Sequence, residues 1–280
     1  MPHDLGRGLN MQIISIDNIK TKPLLTYSTG LDGLDKTLNG GIYEGSVVLL
    51  SGMPGVGKST LIMQVANFIG KNHKILFVCG EESLQQAKLR ADKLDVNCPN
   101  IFCTEEIVWE QIVKGIDIIR PQIVIIDSLQ RIKSVTNKSA PGSAKQNRYC
   151  LEEIIRLAKD KNITFVVIGT SIKSRAVAGE QALQHMADTV IFMDNLDGKK
   201  TLLKVQKNRF GRSGETWEAY LTNTGFQESH SVTVNGQAYR ELCEELIDDG
   251  LSLFIKGGRF HTLKNTLKTI TIDALRGGDK

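Results

Sequence analysis

The stretch Gly52-Met53-Pro54-Gly55-Val56-Gly57-Lys58-Ser59 has the spacing G-x-x-x-x-G-K-[ST], with Thr60 directly after it. Glycines at those places free the backbone to turn its N–H groups toward one point, where a chain of phosphates can sit. In such a loop Lys58 reaches the β- and γ-phosphates and the Ser59 hydroxyl holds Mg²⁺. The chemistry on offer is the binding of ATP with Mg²⁺. A glycine-rich turn could match by chance. However, an apolar run at 46–50 before the loop and helical apolar spacing over 60–69 after it supply the strand and helix that the motif needs.

A triphosphate site that hydrolyses its ligand needs two carboxylates. Asp127 ends the apolar run 122–126, where it can orient Mg²⁺; capping the next turn is its other reading. Glu81 and Glu82 follow Gly80 at the end of the run 75–79, and a carboxylate there can polarise a water in line with the γ-phosphate. Glu81 is read as that base and Glu82 as its support or a sensor. Both could instead serve as first-turn charges of the helix that follows. Thr170, after the run 163–168, is a second sensor candidate.

Cations cluster in three segments. Between Arg131 and Tyr149 stand Arg131, Lys133, Lys138, Lys145 and Arg148, with no acid and with Ser139-Ala140-Pro141-Gly142-Ser143 as a flexible break. So long a connection is usually functional, and a basic one beside a nucleotide points to a polyanion. Lys173 and Arg175 follow Thr170 on the same strand-end side and could touch a nucleic-acid backbone. A solvated surface is the plainer reading of both loops. Lys199 to Arg212 holds six cations and no acid. Its Lys207-Asn208-Arg209-Phe210-Gly211-Arg212 lies too far along the chain's edge to complete its own phosphate site. Across a subunit interface Lys207 and Arg209 could reach a neighbour's γ-phosphate; a phosphate-backbone contact or a solvated turn are the alternatives.

The elements that must position these residues alternate. Strands are expected at 75–79, 100–103, 122–126 and 163–168. Helices are expected at 83–94, with Ser83 as N-cap, at 106–119, ended by Pro121, and at 146–160. Near-continuous apolar strands between helices indicate a parallel sheet covered on both faces. From Thr189 the rhythm changes to strands at 190–193, 202–206 and 216–221 joined by tight turns, read as antiparallel edge additions. The fold class is α/β, a mostly parallel central sheet flanked by helices with antiparallel edge strands. Residues 1–24 form an arm with at most one edge strand near 11–16, 25–228 the nucleotide domain, and 229–280 a small α+β appendage. The appendage holds a hairpin at Asn235-Gly236, an acidic helix over 240–249 and an amphipathic segment over 263–275. Lys256, Arg259, Phe260, His261, Lys264 and Lys268 could grip nucleic acid there, or the segment could serve assembly or cover a sheet edge.

Composition bounds the rest. The chain has 280 residues, 41% apolar and 24% charged, with a formal net charge of +4, an ordinary globular balance. It has no apolar run of about 18 residues that would cross a membrane and no signal-peptide core at the start. Five scattered cysteines read as reduced thiols in a cytoplasmic protein. Cys98 and Cys103 lack the further ligands of a zinc site.

These pieces together resemble the ATPase core of the RadA/Sms DNA repair proteins, which are RecA-like P-loop NTPases related to the DnaB helicases. The resemblance covers roughly 28–228. It rests on Ser28-Thr29-Gly30, the phosphate loop, Cys79-Gly80-Glu81-Glu82-Ser83, Ile126-Asp127-Ser128, Ser139-Ala140-Pro141-Gly142-Ser143, Ala178-Gly179, His185-Met186-Ala187-Asp188-Thr189 and Lys207-Asn208-Arg209-Phe210-Gly211. It implies a hexameric ring that moves on single-stranded or branched DNA and promotes branch migration, alongside a recombinase or replication partner. Lys58 and Ser59 would hold the triphosphate and Mg²⁺, Asp127 would be the Walker-B acid and Glu81 the catalytic base. Lys207 and Arg209 would act in trans, and the loops around 131–149 and 171–179 would line the DNA channel. The family usually carries an N-terminal zinc finger, a Lon-like domain and a Gly-His after the sensor strand. These 280 residues match neither domain, and Gly169-Thr170 stands at the third place. A KaiC-like ATP switch and a recombination mediator with slow hydrolysis are the rival expectations.

Overall fold

The computed structural model describes residues 14–19, 23–169, 178–196, 200–228, 253–256, 259–262 and 270–271. After a 3-10 turn at Ile16–Asn18, the first elements are β1 (Thr26–Tyr27), α1 (Asp32–Thr37), β2 (Ile42–Tyr43), β3 (Val47–Gly52) and α2 (Lys58–Gly70). Next come β4 (Ile75–Cys79), α3 (Leu84–Lys93), β5 (Ile101–Thr104), α4 (Trp109–Ile119) and β6 (Ile123–Asp127). A 3-10 turn at Leu129–Arg131 leads to α5 (Ala144–Lys161), β7 (Thr164–Ile168), α6 (Ala178–Met186) and β8 (Thr189–Asn195). The core ends with β9 (Lys200–Asn208), β10 (Thr216–Thr222) and β11 (Gly225–Glu228); β12 (Leu253–Lys256), β13 (Arg259–Thr262) and β14 (Ile270–Thr271) follow.

Nine strands make the central sheet, in the order β11-β10-β9-β8-β3-β7-β6-β4-β5. The six from β8 to β5 are parallel, and β9, β10 and β11 extend the sheet antiparallel. Alternate residues of each parallel strand go to opposite faces, and both faces are apolar. Val48, Leu50, Phe77, Ile125 and Ile168 pack with α2 on one side. Leu49, Val78, Ile126 and Val167 pack with α4 and α5 on the other. Burial on both faces explains the unbroken apolar runs in the sequence.

Helix ends follow their caps. Ser83 and Gln86 form a capping box at the start of α3, and Ser143 accepts from Gln146 N–H at the start of α5. Arg120 closes α4 in a left-handed conformation just before Pro121. The sequence pattern did not show α6, the short strands β1 and β2, the edge strand β11, or β12 and β13. The four residues of β11 carry only Phe226 as a deeply buried side chain, too short a pattern to read.

The basic segment 131–149 is not one long loop. Helix α5 begins at Ala144, so Lys145 and Arg148 stand on its first turns. The shorter connection is held in place rather than free. Glu110 accepts from the Ser134 hydroxyl and from Val135 N–H, and Thr136 shares a hydrogen bond with Tyr149. Burial works to raise the Glu110 pKa, but these donors prevail and hold it below the usual carboxylate range. The expected hairpin at 235–236 and the helix at 240–249 lie outside the described residues. In the amphipathic segment 263–275, Ile270–Thr271 forms β14, paired on β13, and β13 pairs with β12. This part is therefore a three-stranded antiparallel sheet in its described residues.

Candidate active site

The phosphate loop leaves the C-terminal end of β3 and enters α2, as a phosphate cradle requires. Gly57 caps α2 with φ +96°, and a Cβ there would lie 2.8 Å from Phe226 Cζ. Only glycine satisfies both the conformation and the space. Gly55, at φ +79°, faces open space.

Neighbouring strand ends bring the charged groups to this loop. Lys58, Ser59, Thr60, Glu81, Arg90, Asp127 and Ser128 line one cleft of about 350 Å³, with Pro54, Gly55 and Gly57 at its wall. Lys58 is buried and donates to the carbonyls of Gly52 and Met53 at 2.8 and 2.9 Å. Burial lowers its pKa, against the opposing pull of Asp127 and Glu81. Asp127 is 5% exposed. Burial raises its pKa, while the Ser59 hydroxyl, hydrogen-bonded to it, works the other way. Ser59 and Asp127 both line this cleft, one hydroxyl and one carboxylate that could together hold a Mg²⁺ ion.

Glu81 is exposed and accepts a hydrogen bond from the Ser128 hydroxyl. Gly80 and Glu81 both donate their N–H groups to Asp127 O, at 2.6 and 3.2 Å. The two acidic positions are therefore locked to each other through backbone. Glu82 turns toward α3, where Arg90 Nη2 donates to its Oε2 at 2.7 Å. Arg90 Nη1 also lies 3.8 Å from Asp127 Oδ2. Burial raises the Glu82 pKa, although Arg90 opposes it.

Arg90 is the site residue that sequence reasoning missed. It sits seven positions after Ser83, two helical turns into α3, on the side that faces Glu82 and Asp127. Its spacing from the capping box would have found it, once α3 was known to pack beside β6. Its Nη1 and the Glu82 Oε1 are buried with no hydrogen-bond partner. Arg90 lines the cleft, so its open donor fits an oxygen of a Mg²⁺–triphosphate.

The other sequence-predicted residues fall elsewhere. Lys207 lies opposite Val190, and Asn208 opposite Thr189, which itself pairs with Val48. That is the other end of the sheet from Gly52, roughly 13 Å along the strand. Lys207 Nζ donates to the carbonyls of His185 and Ala187, both at 2.7 Å, at the end of α6. Arg209 pairs with Asp188 at 2.7 Å, and Asp188 accepts from Val47 N–H. Phe210 stacks on Tyr43 with ring centroids 4.5 Å apart. This turn does not meet its own phosphate loop. Ser28 and Thr29 likewise serve structure, since both bond to Asp35.

Arg131 donates from Nε to Gly80 O at 3.1 Å, so it borders the cleft's acidic corner. Lys133 extends the backbone pairing with Val108. Lys138, Lys145 and Arg148 are exposed, and Arg148 pairs with Glu152. Thr170, Lys173 and Arg175 lie outside the described residues. Among the described residues no three metal-binding side chains gather as in a zinc site, and no helix is long and apolar enough to cross a membrane.

Comparison with known proteins agrees with this geometry. Residues 27–115 match the family model described as "ATPase: KaiC". The chain is similar to the DNA repair protein RadA of Chlamydia trachomatis, 39% identical over 217 residues, which is 77% of this chain and 48% of the relative. It spans about half the length of the curated relatives it matches. Its fold is similar to the RadB recombinase, with TM-score 0.57 and 20% identity over 73% of this chain and 100% of that one. It is also similar to a KaiC-like protein from Pyrococcus horikoshii OT3, with TM-score 0.59 and 18% identity over 73% of this chain and 98% of that one. The architecture is the RecA-like α/β fold that these structures share. Over 217 residues, then, this chain is similar to the RadA DNA repair proteins.

Proposed function

We propose that this chain is an ATPase of DNA recombination and repair that binds single-stranded or branched DNA and couples hydrolysis to translocation, branch migration or unwinding. The observation that carries the reading is the convergence of Lys58, Ser59, Glu81, Arg90 and Asp127 on one cleft at the strand ends.

In this reading the loop from Gly52 to Thr60 binds the phosphates through backbone N–H groups and Lys58. Ser59 and Asp127 would hold Mg²⁺, which supplies positive charge to the phosphate oxygens when bound. Glu81 takes the proton of the attacking water, held in orientation by the Ser128 hydroxyl. Arg90 opposes the burial that pushes the Glu82 and Asp127 carboxyls up. Leu221 and Ile168 close the cleft's apolar side and exclude bulk water.

Lys207 and Arg209 act on a neighbour's nucleotide, in a homo-oligomer that is a hexameric ring. What supports this is their place at the sheet end remote from their own loop. In that assembly they would exchange the contacts to Asp188 and the α6 carbonyls for phosphate. Arg131, Lys133, Lys138, Lys145, Arg148, Lys173 and Arg175 offer the DNA its cations. The setting is cytoplasmic, beside a recombinase or replication partner. The match to a KaiC-type ATPase favours one second reading, a nucleotide switch or mediator that hydrolyses slowly and moves nothing.

One experiment separates them: ATP turnover with and without single-stranded DNA, run beside a mass measurement in each nucleotide state. Turnover that rises with DNA, together with directional strand displacement, is the expected result. Turnover indifferent to DNA, in a protein that does not displace a strand, would refute the motor.

A further inference from the structure

β11 stands at one end of the central sheet, so its outer edge has no strand beside it among the described residues. One side chain takes the place of that strand. Gln64, half-buried on α2, donates from Nε2 to Phe226 O at 2.9 Å. Its Oε1 accepts from Phe226 N–H at 2.8 Å. Each end of the amide meets the opposite kind of backbone group, so one side chain satisfies both polar groups of a deeply buried residue. The hairpin is shaped to receive it. Gly225 has φ +108°, and a Cβ there would lie 2.6 Å from Gln64 Oε1. Any other residue would be strained and would push the amide out of place.

The same hairpin rests on the phosphate loop. Gln64 stands seven residues after Gly57, two helical turns along α2. Phe226 presses its ring against Gly57, where a Cβ would lie 2.8 Å from its Cζ. Leu221 pairs with Phe226 across the hairpin. Its Cδ2 would lie 3.2 Å from that same Cβ, and Leu221 also lines the nucleotide cleft. The backbone of Phe226 is thus fixed to α2 by Gln64, while its ring and Leu221 fill the space behind the last glycine of the loop.

We infer that Gln64 is a positioning residue for nucleotide binding: it fastens the β10–β11 hairpin to α2, and the hairpin holds the phosphate loop in the shape that receives phosphate. This rests on the reading of residues 52–59 as a nucleotide site. A glycine-rich loop has many conformations open to it, and its N–H groups converge on one point in few of them. Ordering the loop at the moment of binding would lower affinity. A wall of Phe226 and Leu221 against Gly57 removes the alternatives before the ligand arrives. That wall is only as firm as its attachment, and Gln64 supplies two hydrogen bonds of it. Glu81 follows β4 and Asp127 ends β6, strands with which the hairpin does not pair. The effect therefore falls on affinity rather than on the chemical step.

The test measures ATP affinity by fluorescent-nucleotide titration, and KM and kcat by turnover, on the full chain. Gln64→Met keeps the length of the side chain and loses both polar ends. Its Kd and KM for ATP should rise about ten-fold, with kcat at saturation changed less than about three-fold. Phe226→Leu should weaken binding to a similar extent, because the ring that rests on Gly57 is gone. The double variant should also lose about ten-fold rather than about 100-fold, because both changes act through one contact. Gln64→Glu keeps the acceptor and loses the donor, and it reads the same rise where Gln64→Met does not fold. Asn100→Ala is the control for plain loss of stability. Asn100 Nδ2 donates to Gly70 O at 2.8 Å, at the other end of α2, and its removal should leave ATP affinity at the parent value. An unchanged Kd in folded Gln64→Met or Gln64→Glu would overturn the proposal. So would a loss confined to kcat, an additive double variant, or Asn100→Ala weakened as much as Gln64→Met. A parent chain that binds no ATP fails the nucleotide-site reading and the clamp with it; a parent that binds ATP equally well with and without the Gln64 amide fails the clamp alone.

Discussion

Replacing Arg90 with methionine isolates the cation that holds the acidic corner together. The length of the side chain is kept and the charge is lost. Arg90 touches Glu82 at 2.7 Å and stands 3.8 Å from Asp127. The two carboxylate side chains are only 14% and 7% exposed. At an effective dielectric near 20, a charge pair at this distance is worth about 4 kcal/mol before desolvation. Breaking a buried pair costs roughly 3–5 kcal/mol, because a charge is left alone in a poor solvent. The Arg90 side chain is 28% exposed, and water will take up part of the loss, so we expect about 2–3 kcal/mol. The sign with pH is specific. Burial already raises the Glu82 pKa in the folded protein, and Arg90 opposes that rise. Without Arg90 the folded pKa climbs further, and the native state binds a proton that the unfolded chain releases. The deficit is therefore full above the folded pKa and shrinks as pH falls toward the unfolded value. Urea unfolding of parent and Arg90→Met at pH 8 and pH 5 measures it. A deficit under about 0.5 kcal/mol at pH 8, or one equal at both pH values, would refute the electrostatic reasoning.

Three further outcomes are expected. Glu81→Gln should keep nucleotide affinity, read by fluorescent-nucleotide titration, while turnover falls on the order of 100- to 10,000-fold; unchanged turnover would remove Glu81 as base. Arg209→Ala should cost no more than about 1 kcal/mol of stability, because its pair with Asp188 is half exposed, yet it should abolish turnover. Mixing Arg209→Ala with Lys58→Ala subunits should restore part of that turnover, and no recovery at any ratio would count against a trans role. Ser83→Ala should destabilise by about 1 kcal/mol, read as a lower urea midpoint, through loss of the capping box that launches α3.

What the amino-acid sequence determined here is what local chemistry enforces. The phosphate loop is legible because its glycines and Lys58 must occur at fixed spacing, whatever surrounds them. Ser83 was readable as an N-cap, and Pro121 as a helix stop, for the same reason. Runs such as Ile75-Leu76-Phe77-Val78-Cys79 announced buried strands because both faces of the sheet are covered. The strand order was not legible. Placing β4 beside β6 is what puts Cys79 against Asp127 and Gly80 N–H on its carbonyl. Arg90 entered the site only because α3 returns over that strand pair, and no local pattern records such a return. The basic segment shows the converse. Its charges stand close along the chain, but Glu110, twenty-one residues upstream of Arg131, pins part of the segment. Spacing along the chain decides what a residue can do alone. Tertiary contact decides which charges share a desolvated space, and that sharing sets the pKa values and the corner where Glu81, Arg90 and Asp127 meet.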